Sequence, residues 1–149
     1  MARVRKNKDL ERWNDHCKKI SEATGGIPKG TDDEKERRKQ RARDDYAYFV
    51  QTYFPHLATS KCGKFQLDAA KHIRENSRAR CVFEWARGHA KSSHISLMIP
   101  LWLRIQKDRE PMVMVLVSKN NKSAKRLLGD LQAELESNDL YIADFGEQK

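Results

Sequence analysis

A lysine and two serines end the stretch WARGHAKSS, residues 85–93, in which a glycine and two alanines precede them. A lysine in such a place can neutralise the outer phosphates of a nucleotide, and the next hydroxyl can ligate Mg²⁺. The chemistry also needs backbone N–H donors and the positive end of a helix, which together attract anions. Lys91 and Ser92 occupy the two chemical positions. The spacing therefore predicts a phosphate-binding loop.

The loop departs from the usual pattern GxxxxGK[ST]. Trp85 and Ala90 stand where the two glycines belong, and Gly88 lies inside the loop instead. Alanine can be tolerated beside a phosphate where its φ is negative, because its Cβ is small. The alternative is a basic loop in which Ser92 or Ser93 merely caps a buried helix. The strand–loop–helix context favours phosphate binding.

The elements around the loop alternate between helical and strand-like patterns. The order is a helix over 64–76, a strand over 79–86, a helix from 91 to about 106, a strand over 111–118 and a helix over 121–137. Pro100 predicts a kink, or a change to a second short helix, because proline lacks the N–H that a helix needs. The uninterrupted apolar run PMVMVLVS is typical of a central parallel strand. The alternation predicts an α/β fold, a parallel sheet of the P-loop NTPase type with helices on its faces.

The first 44 residues are too polar to bury a core of their own and are expected to form a charged helical arm. Apolar residues at helical spacing (Leu10, Trp13, Cys17 and Ile20) predict one short amphipathic helix, which GGIPKG at 25–30 should end. Thr31 and Glu34 have the spacing of a capping box, so a second helix should run from about Asp32 into the fifties. Residues 45–149 are expected to form the ATPase body.

The chain has 149 residues, 34% of them charged, and a formal net charge of +9. This excess favours an anionic partner such as nucleic acid. The basic run comprises Arg37, Arg38, Lys39, Arg41 and Arg43. It has two interpretations, a patch for DNA phosphates or a solvated helix face, and the neighbouring acidic residues favour the second. The start of the chain lacks a signal peptide's apolar core, and three scattered cysteines suggest a reducing cytosol.

Four segments, taken in order, resemble tailed-bacteriophage terminase large subunits, the ATPases that pump DNA into procapsids. The loop WARGHAKSS is similar to their altered phosphate-binding loop. YFVQTYFPHL looks like the aromatic segment before their ATPase core, and KFQLDAAKHI resembles their glutamine-containing adenine motif. PMVMVLVS with the helix that follows it, through the Phe-Gly at 145–146, is similar to their next strand and helix. The resemblance covers roughly residues 46–149.

The resemblance implies a binding site for ATP and Mg²⁺. Lys91 would neutralise the β- and γ-phosphates, Arg87 would stabilise the γ-phosphate, and Ser92 would hold Mg²⁺. The remaining cofactor-binding residues would be Gln66, which would read adenine, and Gly88, His89, Ala90 and Ser93 in the loop. The implied partners are double-stranded DNA, the portal, the small terminase subunit and further copies in a ring, all in a bacterial host's cytoplasm.

One part of an ATPase site is missing from the sequence pattern. Hydrolysis needs an acidic pair after an apolar strand, and the only candidate is Asp144 within the Phe-Gly segment. We therefore expect the ATP-binding, N-terminal portion of a packaging ATPase that does not turn ATP over alone. Two alternatives stay open, namely a helicase-like DNA translocase and a non-enzymatic basic DNA-binding module.

Overall fold

The computed structural model describes residues 2–26, 30–108 and 113–146, and the regular elements within these ranges are all helical. They are α1 (Ala2–Gly25), α2 (Asp32–Asp44), α3 (Tyr46–Tyr53), α4 (Lys64–Glu75), α5 (Lys91–Ser93), a π-helix (His94–Met98), α6 (Ile99–Arg104), α7 (Asn121–Ser137) and α8 (Asp139–Phe145). No helix within the described ranges is long and apolar enough to cross a membrane.

The predicted parallel sheet of the P-loop type is wrong, because residues 79–86 and 113–118 pair with no described strand. Pro111 and Met112, the start of the second predicted strand, lie outside the described residues. Side-chain exposure alternates along 113–118, and Val113, Val115 and Val117 are 90%, 77% and 84% exposed. The run is apolar, but within the described residues no neighbouring strand pairs with its backbone and nothing covers the valines, as a central strand requires.

The predictions from helical periodicity and capping are confirmed for most helices. The helix predicted over 121–137 has those bounds, and the break after α1 falls at the predicted glycines. The capping box of α2 is formed, since the Glu34 N–H donates to Thr31 Oγ1 and the Thr31 N–H donates to Glu34 Oε2. These signals are local in sequence, which is why they can be read without the fold.

The single helix expected from about Asp32 into the fifties is two helices instead. Asp45 ends α2 in an extended conformation, and its carboxylate accepts a hydrogen bond of 3.0 Å from the Tyr48 N–H at the start of α3. One aspartate therefore caps the second helix at the break between the two. The break turns the apolar face of α3 inward independently of the charged face of α2.

The buried helical segment 91–104 changes type along its length. It starts as α5, continues as the π-helix and becomes α6, whose first turn contains Pro100. The expected change of helix at the proline is confirmed. Proline offers no N–H and its ring crowds the carbonyl four residues earlier, so a wider turn just before it removes the conflict.

Aromatic side chains of α3 form the centre of the core. Tyr46, Phe49 and Tyr53 pack against one another and, with Phe54, are almost fully buried. The surfaces around them come from α6 and α8, whose buried members include Ile99, Leu101, Trp102, Leu140 and Tyr141. This cluster buries the back of the 91–104 segment and leaves its first residues at the surface.

The first 44 residues are joined to the rest by specific contacts. In α1, Ile20 and Thr24 are buried, and the Ser21 hydroxyl donates to Asp139 at 2.6 Å. In α2, the buried Arg43 donates to the carbonyl of Ile105 at 2.9 Å. The arm thus lies against α7, α8 and the end of α6.

Most cations of the basic run Arg37–Arg43 are engaged within the protein. Arg38 makes two hydrogen bonds, of 2.6 and 2.7 Å, to the Asp144 carboxylate, which Tyr53 also contacts at 2.7 Å. Lys39 pairs with Glu36, and the Arg41 guanidinium lies 4.1 Å from the centre of the Tyr48 ring. These contacts leave little of the run directed at an external phosphate.

The Arg38–Asp144 pair yields a stability prediction. The two side chains are 12% and 0% exposed, so Asp144→Ala should leave a buried guanidinium and the Tyr53 hydroxyl without their acceptor. The free energy of unfolding should fall by about 3–5 kcal/mol in denaturant titration. Breaking the exposed Lys71–Glu75 pair with Glu75→Ala should change it by less than about 1 kcal/mol. Equal effects of the two changes would contradict this assignment.

Candidate functional site

The loop before α5 has an unusual backbone. Gly88 has φ of 87° and Ala90 has φ of 52° with ψ of 30°, the left-handed helical conformation. Among the described residues Ala90 is the only non-glycine residue with a positive φ, so the negative φ under which an alanine was expected to be tolerated at this position is not observed. This conformation costs an L-residue roughly 1–2 kcal/mol, so the surroundings must hold it.

Gln66, in the first turn of α4, holds the loop. Its side chain is buried, its Nε2 donates to the carbonyl of His89 at 3.0 Å, and its Oε1 accepts from the Gly63 N–H at 2.8 Å. The neighbouring Phe65 ring lies 5.3 Å from the His89 ring and 5.0 Å from Trp85. The structure therefore brings together Gln66 and the loop, two features that the sequence placed in one site.

The loop ends in an arrangement that suits an anion. A left-handed residue followed by a right-handed one turns consecutive backbone N–H groups into a shared concavity. Ala90 and the first residue of α5, Lys91, have these two conformations. No side chain caps this helical end, although the first N–H groups of any helix have no partner within it. The backbone thus presents donors that an incoming oxyanion could use.

The charged and hydroxyl side chains of the loop lie at its surface. Arg87, Lys91 and Ser92 are exposed, and Ser93 is partly exposed. The Lys91 ammonium lies 3.5 Å from the Phe83 carbonyl, which is the long limit of a hydrogen bond. Arg87 forms no ion pair with Glu84 or any other described residue. Both cations are therefore available to a ligand at the loop.

Two residues considered for the ATP site, Gln66 and Asp144, are already hydrogen-bonded within the protein. Each polar atom of the Gln66 amide already makes one hydrogen bond, so only its second N–H and remaining lone pairs are left for an adenine. Asp144, the candidate acidic residue, is buried and bound to Arg38 and Tyr53. Its carboxylate is satisfied in the core of the protein and is not presented as a Mg²⁺ ligand.

His94 lies directly beneath the loop and is buried. Its Nδ1 is 2.8 Å from the Tyr46 hydroxyl, and its ring lies 6.1 Å from that of Trp85. Burial lowers the pKa of His94 below its usual value of 6.5, so the ring is neutral at pH 7. His94 therefore packs and hydrogen-bonds below the loop.

A large cleft beside Ser92 was not predicted. It lies between α1 and α7 and has a volume of about 880 Å³. We call it the α1–α7 cleft; its lining includes Arg12, Trp13, His16, Ser92, Ser118, Lys122, Lys125 and Arg126. The spacing of Lys122, Lys125 and Arg126 could have predicted a basic face on α7. The cleft itself could not be predicted, because its other wall is α1, which is distant in sequence.

The described residues contain no group of three histidine, cysteine, aspartate or glutamate side chains that could hold a metal. Mg²⁺ at the loop would thus depend on Ser92 together with the phosphates of a nucleotide. Cys17, Cys62 and Cys81 are free thiols.

Comparison with known proteins found no match to the chain among family models, curated proteins or solved structures.

The buried His94 leads to a pH prediction. Its pKa is lowered on folding, so the unfolded chain binds the extra proton as the pH falls through about 6.5 and stability decreases, by up to about 1.4 kcal/mol per pH unit. The double variant Tyr46→Phe/His94→Leu removes the imidazole without leaving an unpaired hydroxyl. Its unfolding free energy should depend less steeply on pH between about 7.5 and 5.5 than that of the wild type. Identical slopes in urea titrations would rule out this role for His94.

Proposed function

We propose that residues 87–93 bind the phosphate groups of ATP together with Mg²⁺. The observation that carries this proposal is the left-handed Ala90 immediately before Lys91, which gathers uncapped backbone N–H groups beside an exposed ammonium group. A strained backbone held in place by its neighbours is a recurrent property of ligand sites. The loop's own chemistry supports the proposal, which needs no β-sheet.

In this proposal each residue has a separate task. The N–H groups near Ala90 and Lys91 surround a phosphate, and the Lys91 ammonium neutralises the outer phosphates. Ser92 ligates Mg²⁺, and Arg87 approaches the γ-phosphate from the exposed side of the loop. Gln66 fixes the His89 carbonyl and thereby the direction of the N–H groups that follow.

The wider activity that we propose is ATP binding for a DNA-translocating motor similar to terminase large subunits. Its support is the order of the four motifs and the contact between the glutamine segment and the loop. ATP hydrolysis, portal binding and ring assembly belong to this proposal through the resemblance alone. A helicase-like translocase would use the same loop and glutamine.

Lys91→Ala tests the loop directly. ATP with Mg²⁺ should raise the melting temperature of the wild type, because a ligand that binds only the folded state stabilises it by RT ln(1 + [L]/Kd). The variant should lose most of this shift. Lys71→Ala, which removes another exposed lysine, from α4, should retain the full shift. A wild type that does not respond, or equal shifts in all three proteins, would refute the proposal.

A second experiment distinguishes two roles for Gln66. Because its amide already joins Gly63 to His89, Gln66→Ala should loosen the loop and weaken ATP and GTP binding alike, by about 1–2 kcal/mol each in calorimetric titrations. Gln66→Glu retains the acceptor for Gly63 but loses the donor to His89, so it should also weaken both. A loss confined to ATP would instead mean that the amide turns toward the adenine, as the resemblance implies.

A further inference from the structure

The cations of α2 and those of α7 differ in how far they are already paired within the protein. In α2, Arg38 and Arg43 are hydrogen-bonded to Asp144 and the Ile105 carbonyl, and Lys39 is paired with Glu36. In contrast, three exposed cations on one side of α7 form no ion pair with a described residue; these are Lys122, Lys125 and Arg126. An external anion therefore meets usable charge at α7 and much less at α2.

These cations face a concave surface, the α1–α7 cleft. Arg12 adds a fourth cation from α1, while Asp9 and Asp130 are the acidic residues in the lining. The Arg12–Asp9 pair is 3.9 Å long and largely exposed to water, so it holds Arg12 only weakly. With four cations against two carboxylates, the cleft complements a chain of phosphates.

The cleft also contains an aromatic surface. Trp13 of α1 lies over Gly129 of α7, where an added Cβ would be 3.6 Å from the indole ring. At this distance a Cβ would make ordinary van der Waals contact, so the indole packs against the backbone of α7 while it remains partly exposed in the cleft beside His16. Ser118 and Ser123 supply hydroxyl groups on the opposite side. Indole, cations and hydroxyls together match a phosphate backbone with an accessible base.

We infer that the α1–α7 cleft binds a short stretch of single-stranded nucleic acid, with phosphates at Lys122, Lys125 and Arg126 and a base against Trp13. An unpaired base can turn its face to an indole, whereas the bases of a duplex are stacked inside the helix. The volume of about 880 Å³ lies within the range of roughly 300–1,000 Å³ that is usual for ligand sites. Its contact with the loop is through Ser92, so the two sites are neighbours with separate cations.

Fluorescence anisotropy with a labelled short oligothymidylate tests this inference on the full chain. Lys122→Gln/Lys125→Gln should weaken binding and reduce the salt dependence by about 0.7 for each lost phosphate contact. Lys18→Gln/Lys71→Gln removes the same charge from exposed positions outside the cleft and should bind as the wild type does. Trp13→Leu should weaken binding roughly fivefold to hundredfold through lost stacking.

The melting temperature of each variant shows whether weaker binding comes from a destabilised fold. Trp13→Leu could destabilise the protein because Trp13 packs against α7, whereas changes at the exposed Lys122 and Lys125 should not. Absence of oligothymidylate binding, or equal losses in the two double-lysine variants, would overturn the inference. Tighter binding of a duplex than of the single strand would also overturn it. If ATP still displaces the oligothymidylate from Lys91→Ala, in which the loop has lost its ammonium group, the cleft is a mononucleotide site and the inference is wrong. Failure of ATP to bind the loop leaves these results interpretable, since the oligothymidylate is measured without nucleotide.

Discussion

The hydrogen bonds that the buried Asp144 carboxylate accepts are the interactions on which the assembly of the helices depends. It accepts two hydrogen bonds from Arg38 on α2 and one from the Tyr53 hydroxyl on α3, and its side chain is fully buried. The low dielectric around it makes these bonds strong and makes the loss of any partner costly. Three helices, separated by up to 106 positions in sequence, are thereby fixed to one point. The burial raises the pKa of Tyr53, so its hydroxyl stays protonated as a donor.

This arrangement explains which features could be predicted from the sequence. Caps and periodic apolar faces act within a few residues, so Thr31, the break after α1 and the bounds of α7 could be read directly. The partners of Arg38 and Arg43 lie 106 and 62 positions away along the chain. The spacing of charged residues within α2 cannot predict partners that are so distant in sequence. The basic run therefore looked like a surface feature although part of it belongs to the core.

The prediction of two strands was wrong for a related reason. A strand is stabilised by a neighbour, not by its own residues, and the apolar run ending at Ser118 has the composition of a strand without a described partner. The start of a helix at Lys91 could be predicted from adjacent positions. The contact from Gln66 to His89 was not predicted, because the resemblance implied only that Gln66 reads adenine. The α1–α7 cleft depends on the packing of two helices more than a hundred residues apart, and neither helix indicates it alone.

Ser92 lies two residues after the left-handed Ala90 and also lines the cleft formed by the packing of α1 on α7. Ala90 can hold its left-handed conformation because Gln66 fixes the carbonyl before it and because the helical segment after it is buried against the aromatic core. The same segment places Ser92 at the edge of the α1–α7 cleft, which exists because α1 packs on α7. The cations that the fold does not use internally therefore lie near the backbone donors that it leaves uncapped. Ser92 therefore joins the loop, whose backbone donors no side chain caps, to a cleft whose α7 cations form no ion pair with a described residue, and this proximity follows from the packing of α7 against the π-helix.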